Sequence, residues 1–191
     1  MPNTNTPTTR VNALYWPEVQ KAVRGFILNF CTPSISSNSV IWGNQPRAAL
    51  PNTDELIIIT SISRQRNGTT ISAFKAADGT MHHRELVTED FQIDFYSGSR
   101  DGHDRAACIE MLARTGVGVE YFKPFNMSIL YADEIRDTAE PIDAAQYVQR
   151  SILTLHICYW LELAHEQPWF DSVDVDLKNV DVFFPPEENN E

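Results

Sequence analysis

The sequence predicts an α+β fold in which a largely antiparallel β-sheet carries two helices on one face. Two kinds of hydrophobic periodicity support this prediction. Apolar residues have helical spacing early in the chain, and apolar and polar residues alternate strictly in two later segments. The turn signals between strands are short, which is typical of antiparallel neighbours. The 191 residues are enough for one domain with its own core, so folding requires neither a disulfide bond nor a structural metal.

The first helix is predicted over residues 16–30. Pro17 is tolerated in a first helical turn, and the carboxylate of Glu18 suits the positive end of the helix dipole. Apolar residues follow at helical spacing: Val19, Val23, Phe26, Ile27 and Phe30. Thr32-Pro33 ends the helix. Residues 32–53 are rich in Pro, Ser and Asn and are predicted to form a long loop that exposes Trp42.

Three strands are predicted between residues 54 and 96. The first is followed by Asn67-Gly68, a dipeptide that favours a hairpin turn, so residues 69–76 are predicted to be its return strand. Asp78-Gly79 closes that strand, and the third begins near Glu85. Five residues of the third strand are predicted to share the core face: Val87, Glu89, Phe91, Ile93 and Phe95. The residues between them face solvent.

The second helix is predicted to follow the turn at residues 96–102. Its apolar stripe contains Cys108, Ile109 and Leu112, together with Arg105. Gly116 and Gly118 are predicted to stop it. Residues 122–131 are predicted to be irregular, with a short strand at 128–131.

The longest strand is predicted over residues 147–164. Alternation outweighs helix propensity here, because six apolar residues recur at every second position: Leu153, Leu155, Ile157, Tyr159, Leu161 and Leu163. A last strand is predicted around residues 173–182, with a bend after Asn179, where the apolar phase slips by one residue. Pro185-Pro186 ends the predicted structure.

Composition excludes several classes of protein. No apolar run approaches the ~18 residues of a membrane span, and residues 1–9 lack the features of a signal peptide, so we expect neither a membrane nor a secreted protein. The three cysteines have no CxxC spacing and are expected to be small packing residues. The formal net charge is −11, of which −8 lies between Glu162 and Glu191. A protein that binds nucleic acid normally carries a basic surface, so this charge distribution argues against nucleic-acid binding.

No catalytic or metal-binding group of residues stands out. The best metal-like set is Asp94, Asp101, His103 and Asp104, but acids at a helix start are explained by the helix dipole. Glu120 and Lys123 match only the carboxylate-and-lysine half of a metal-dependent nuclease motif, because no well-placed aspartate lies on a preceding strand. His82-His83 and His165 are expected to lie at the surface, and Cys158 beside His156 is expected to be a packing residue. We therefore expect no enzyme activity, no cofactor and no bound metal.

The order of five short motifs resembles the neck or tail terminator proteins of bacteriophages with contractile tails. The motifs are QIDFYSG at 92–98, DRAA at 104–107, ILYADEIR at 129–136, QYVQR at 146–150 and PWFD at 168–171. The resemblance covers roughly residues 15–184. It implies a single terminator-like domain with a protruding long β-hairpin. From composition alone, residues 1–14 are predicted to be a flexible arm and residues 185–191 an acidic tail, which does not map onto the family pattern.

The resemblance also implies a function. Terminators of this kind form a hexameric ring that caps the tail tube and gives a docking face to the head–tail connector. The expected partners are further copies of the chain, the tail tube protein, the connector or adaptor and, as a further candidate, the sheath protein. Genomic DNA would pass through the channel without specific binding. The expected location is the virion neck, after assembly in the host cytoplasm. The alternatives are a metal-dependent nucleic-acid-processing enzyme, another head–tail adaptor or an unrelated binding module.

Two sets of residues are candidates for that role. The candidate interface residues are Trp42, Arg47, Trp160 and Trp169, because aromatic and arginine side chains are enriched at protein interfaces. The candidate acidic channel surface is Asp171, Asp174, Asp176 and Asp181, which would repel DNA during passage.

Overall fold

The computed structural model describes residues 16–44, 55–143 and 146–167. In chain order, the first part contains helix α1 (Trp16–Phe30), strand β1 (Val40–Trp42), strand β2 (Glu55–Arg66), strand β3 (Ile71–Lys75) and strand β4 (Thr80–Ser97). Helices α2 (Asp101–Ala113) and α3 (Gly116–Phe122) follow. Strands β5 (Met127–Ala132), β6 (Arg136–Asp143) and β7 (Gln146–Glu166) complete the described part. The α+β prediction is confirmed, with three described α-helices instead of two.

The strands form one seven-stranded sheet with the order β1-β2-β4-β7-β5. β3 also pairs with β4, and β6 also pairs with β7. Every pairing is antiparallel except that of β1 with β2, so the prediction of a largely antiparallel sheet is confirmed. β4 and β7 pair along their whole shared length, from Thr80 opposite Glu166 to Ser97 opposite Gln149. These two strands are the centre of the sheet.

The hydrophobic core lies between one face of the sheet and the three helices. α1 buries the face predicted from its periodicity, including Val19, Val23 and Phe26. From the sheet, alternate residues of β4 and β7 are fully buried: Phe91, Ile93, Phe95, Leu153, Leu155 and Ile157. The predictions of an alternating β4 and a long β7 strand are therefore confirmed. The strand predicted around 173–182 lies outside the described residues.

The predicted hairpin turn at Asn67-Gly68 is wrong. β2 and β3 do not pair with each other but follow one another along the same edge of β4: Arg66 is opposite Val87, and Ile71 is opposite Arg84. The chain therefore keeps its direction through Asn67-Gly68. It reverses only at Gly79, whose φ of 64° suits a glycine in a tight turn. The third predicted strand accordingly begins at Thr80, five residues before the predicted start.

Two further predictions fail near the helices. Residues 32–53 contain strand β1 rather than only a loop. Gly116 and Gly118 do not simply stop α2; they lie in α3, which begins after Thr115 accepts a hydrogen bond from the Val117 amide. A Cβ at Gly118 would lie 2.9 Å from the Leu112 carbonyl oxygen. Glycine is needed there because the new helix packs closely on the end of the old one.

Candidate assembly surface

The predicted interface residue Trp42 lies in the core. β1 pairs in parallel with Ile57–Ile59, which turns the Trp42 indole toward the helices. The side chain is 6% exposed and packs edge-on against Phe91, with ring centroids 6.0 Å apart. The expectation that Trp42 lies in an exposed loop is wrong. The sequence did not reveal this, because a three-residue strand shows no measurable periodicity.

Trp160 lies at the surface, as expected of an interface residue. It is 43% exposed and stands opposite Leu86 in the β4–β7 pairing. The other candidates, Arg47, Trp169, Asp171, Asp174, Asp176 and Asp181, lie outside the described residues.

A three-stranded extension of the sheet passes beyond the helices, and we call it the ribbon. It consists of β3, the Thr80–Leu86 part of β4 and the Trp160–Glu166 part of β7. Every residue of β3 is exposed. The expected protruding hairpin is therefore present, with β7 as a third strand beside it.

Apolar side chains are exposed on both faces of the ribbon. Ile71 is 54% exposed and shares one face with Trp160, whereas Phe74 is 38% exposed on the other. Ile62, which is 52% exposed, lies outside the ribbon, where the β2–β4 register shifts between Ser61 and Ser63. Exposed apolar residues grouped on one extension are typical of a surface that another protein covers.

Polar contacts hold the ribbon strands together across the Trp160 face. The Glu162 carboxylate accepts hydrogen bonds from His82 Nδ1 at 2.8 Å and from Arg84 at 3.1 Å. These contacts lower the pKa of Glu162, with the His82 hydrogen bond as the main cause. At the tip, the Gln167 amide donates to the Gly79 carbonyl at 3.0 Å. The Thr80 hydroxyl donates to Asp78, and this hydrogen bond lowers the pKa of that carboxyl.

The opposite face of the ribbon carries a pair of imidazoles. His83 Nε2 and His165 Nε2 lie 3.1 Å apart, and the two rings are stacked with an interplanar angle of 23°. His83 Nδ1 lies 2.8 Å from the Ser72 hydroxyl, and His165 Nδ1 lies 3.2 Å from the Glu166 carbonyl. The sequence placed these histidines at the surface but gave no signal that they meet, because 82 residues separate them.

The helix-free face of the sheet is polar, and it is formed by alternate residues of β4 and β7: Thr88, Asp90, Gln92, Asp94, Thr154, His156 and Cys158. His156 bridges two carboxylates there: Nδ1 lies 2.6 Å from Asp90, and Nε2 lies 3.2 Å from Asp133. The Tyr131 ring stacks on the imidazole with centroids 4.0 Å apart. The bridge joins β4, β7 and the end of β5, so these polar side chains stabilise the pairing of neighbouring strands.

The metal-like set from the sequence is not brought together as a site. Asp94 is buried and paired with Arg150 at 3.1 Å. His103 pairs with Asp137 at 2.9 Å, while Asp101 and Asp104 lie in the first turn of α2. Within the described residues, no group of three or more His, Cys, Asp or Glu side chains has metal-binding geometry.

The other chemical candidates also have structural roles. Glu120 and Lys123 form an exposed pair on α3, 3.9 Å apart. Burial raises the pKa of the Cys31 thiol to about 12, so this cysteine is not poised as a nucleophile. Cys108 donates to the Phe30 carbonyl.

A second exposed apolar area lies beside strand β5. A cleft of about 550 Å³ is lined by the end of α2, the start of α3 and β5, and it includes Val119, Leu130 and Tyr131. These three side chains are each at least half exposed. The sequence did not predict this cleft, because α3 itself was not predicted. None of the described helices is long and apolar enough to span a membrane.

The described residues combine a helix-packed sheet, a ribbon with exposed apolar side chains, and polar groups paired across neighbouring strands. The model of the phage neck terminator protein family matches residues 18–181, and the chain belongs to this family. The resemblance inferred from the order of short motifs is thereby confirmed. The family places the protein among the structural components of the phage neck.

Comparison with solved structures found a similar chain described as the sheath/tube terminator of PVC, an extracellular contractile injection system, in its extended state. The sequence identity is 9% and the TM-score is 0.46. The match covers 88% of this chain but only 65% of the other, so this chain spans less than two thirds of that protein. A search of curated proteins found no match.

Proposed function

We propose that the chain forms a hexameric ring that caps the tail tube and provides the docking face for the head–tail connector, with genomic DNA passing through the ring. The observation that carries this proposal is membership of the phage neck terminator family over residues 18–181. The proposed partners are the neighbouring copies, the tube protein, the connector and the sheath protein. The proposed location is the virion neck, after assembly in the host cell.

The ribbon is the proposed contact between the ring and its partners. Trp160, Ile71 and Phe74 offer apolar area on both of its faces. Residues Trp160–Glu166 of β7 pair with β4, which places Trp160 on the ribbon beside Ile71. Exposed aromatic side chains grouped in this way favour protein contact over small-molecule binding.

The acidic end of the chain contributes a repelling surface in this proposal. Residues from Glu162 to Glu191 carry −8, and a ring would bring several copies of this charge together. Assembly must then be driven by apolar burial elsewhere, and salt would help by screening the repulsion over a Debye length of about 8–10 Å. Asp171, Asp174, Asp176 and Asp181 are the proposed lining of the channel.

The proposal is tested by imaging and by sedimentation. Negative-stain electron microscopy of the purified chain, with and without tail tubes, should show hexameric rings at tube ends. The Trp160→Ala variant should lose tube binding, whereas Met111→Ala, which removes a side chain 61% exposed on α2, should bind normally. A monomer that never caps tubes would overturn the proposal.

A salt series measured by analytical ultracentrifugation tests the acidic surface separately. Ring yield should rise with salt, and the double variant Asp174→Asn/Asp176→Asn should weaken this dependence. Ring yield that falls with salt would show that the acidic residues pair with basic groups. The charge would then belong to an interface and not to a repelling channel.

A further inference from the structure

We propose that His83 and His165 form a binding site for a divalent transition-metal ion on the ribbon. Their Nε2 atoms lie 3.1 Å apart on neighbouring strands, β4 and β7. With metal–nitrogen bonds of about 2.0–2.1 Å, this separation corresponds to a nitrogen–metal–nitrogen angle of about 95–102°. That angle fits two adjacent positions around an octahedral or square-planar ion, which is the geometry of Ni²⁺ and Cu²⁺.

The partners of the other ring nitrogens support the proposal. The Glu166 carbonyl can only accept a hydrogen bond, so His165 Nδ1 carries the hydrogen and Nε2 keeps its lone pair. In the metal-free protein, His83 Nε2–H donates a hydrogen bond to this lone pair, and the Ser72 hydroxyl donates to His83 Nδ1. A metal ion would displace the Nε2 proton, and His83 would take the other tautomer, in which Nδ1 donates to the Ser72 hydroxyl. Metal-binding histidines typically donate their second ring N–H to a carbonyl or hydroxyl group in this way.

The site has the access that a metal requires. Both imidazoles are half-buried, and Ser72 is exposed on the outer strand of the ribbon. Two histidines fill only two coordination positions, so water or a side chain of another protein would complete the shell. Such a site favours imidazole-binding ions over Mg²⁺ and Ca²⁺, which prefer oxygen ligands. Bound metal would join β4 to β7 near the tip of the ribbon.

Neighbouring histidines provide matched controls. His82 is adjacent in sequence but on the other face, where Thr80 and Glu162 occupy its two ring nitrogens. His103 is an exposed histidine on α2 that pairs with Asp137. Neither has a second imidazole within chelating distance among the described histidines.

The experiment is a calorimetric titration of the full chain with NiCl₂ in a non-coordinating buffer that contains excess Mg²⁺ to occupy carboxylates. We expect one ion per chain. His83→Gln and His165→Gln should each reduce Ni²⁺ affinity at least tenfold, whereas His82→Gln and His103→Gln should retain it. Equal affinity in all four variants, or equal loss in all four, would overturn the proposal.

Two further measurements exclude a folding artefact. Melting curves without metal should show that His83→Gln and His165→Gln are folded, and Ni²⁺ should raise the melting temperature of the wild type but not of these two variants. Electron paramagnetic resonance with one equivalent of Cu²⁺ should show coupling to two equivalent nitrogens. A spectrum from oxygen ligands alone would contradict the two-histidine site. None of these measurements depends on ring formation or tube binding.

Discussion

Asp90 and His156 face each other across the two central strands, with the Asp90 carboxylate 2.6 Å from His156 Nδ1. The other ring nitrogen of His156 lies 3.2 Å from Asp133. One imidazole therefore stands between two carboxylates on the helix-free face of the sheet. The side chains of Asp90 and His156 are both less than 20% exposed, so water replaces the lost contact poorly when either partner is removed.

We expect His156→Ala to destabilise the protein by about 1–3 kcal/mol, because Asp90 loses its hydrogen-bond donor and two carboxylates then face each other. The free energy of unfolding should be measured by urea titration. His103→Ala is the matched control. Its contact with Asp137 is exposed, so its loss should cost less than about 0.5 kcal/mol. Equal losses for the two variants would contradict this account of the bridge.

Trp42→Ala should lower the folding stability of the protein, whereas Trp160→Ala should weaken its assembly. Trp42 is 6% exposed and packs on Phe91, so its truncation should cost about 3–5 kcal/mol of folding free energy. Trp160 is 43% exposed, so its truncation should leave stability within about 1 kcal/mol and weaken assembly instead. Thermal melting and tube-binding assays on both variants distinguish the two effects. A stable, assembly-defective Trp42→Ala variant would show that its indole leaves the core on binding.

Tyr159→Phe should destabilise the core by about 1–3 kcal/mol, although it removes only one oxygen atom. Glu89 is 1% exposed and accepts hydrogen bonds from the Tyr159 and Ser61 hydroxyls, each at 2.5 Å. Burial, and secondly the contact with Glu89, raises the pKa of Tyr159, so the phenol stays protonated and donates. Tyr131→Phe, on an exposed ring, is the control for chemical denaturation. If both variants have the same free energy of unfolding as the wild type, the Tyr159–Glu89 hydrogen bond does not contribute to stability.

Acid should weaken the ribbon through Glu162. Because the folded-state pKa of Glu162 is lowered from 4.5, its ion pairs stabilise the protein above that value and are lost as the pH falls through the lowered pKa. The wild type should therefore lose more stability than Glu162→Gln between pH 5 and pH 3. Urea titrations of both proteins at these two pH values measure the difference. If Glu162→Gln loses more stability than the wild type over this pH range, the ion pairs of Glu162 are not the source of the acid sensitivity.

The elements that were predicted correctly all bury one face. Residues 16–30 and 147–164 place apolar side chains at a constant period, and burial of a single face makes this period visible in the sequence. β6 was not predicted, because Arg136–Asp143 is a polar strand that pairs with β7 at the edge of the sheet. An edge strand of this kind has no alternation to read, since its pairing and not its hydrophobicity determines its structure.

The turn at Asn67-Gly68 shows the limit of local signals. Local sequence permits a tight turn there, yet β2 and β3 both pair with β4, and the reversal occurs at Gly79. The position of the chain reversal is set by the long β4–β7 pairing, which holds β4 in place over its full length. The β4 partners of β2 lie more than 20 residues farther along the chain, so the Asn67-Gly68 dipeptide could not specify them.

The sequence by itself determined the α+β class, the central β4 and β7 strands, the first two helices and, through the order of its motifs, the terminator family. Only the tertiary structure decided that Trp42 belongs to the core, that Trp160 lies on a projecting ribbon, and that His83 and His165 meet. The reason is physical. Periodicity records whether a side chain faces the core, whereas the meeting of residues far apart in the chain depends on strand register, which is fixed only when the whole sheet packs against its helices.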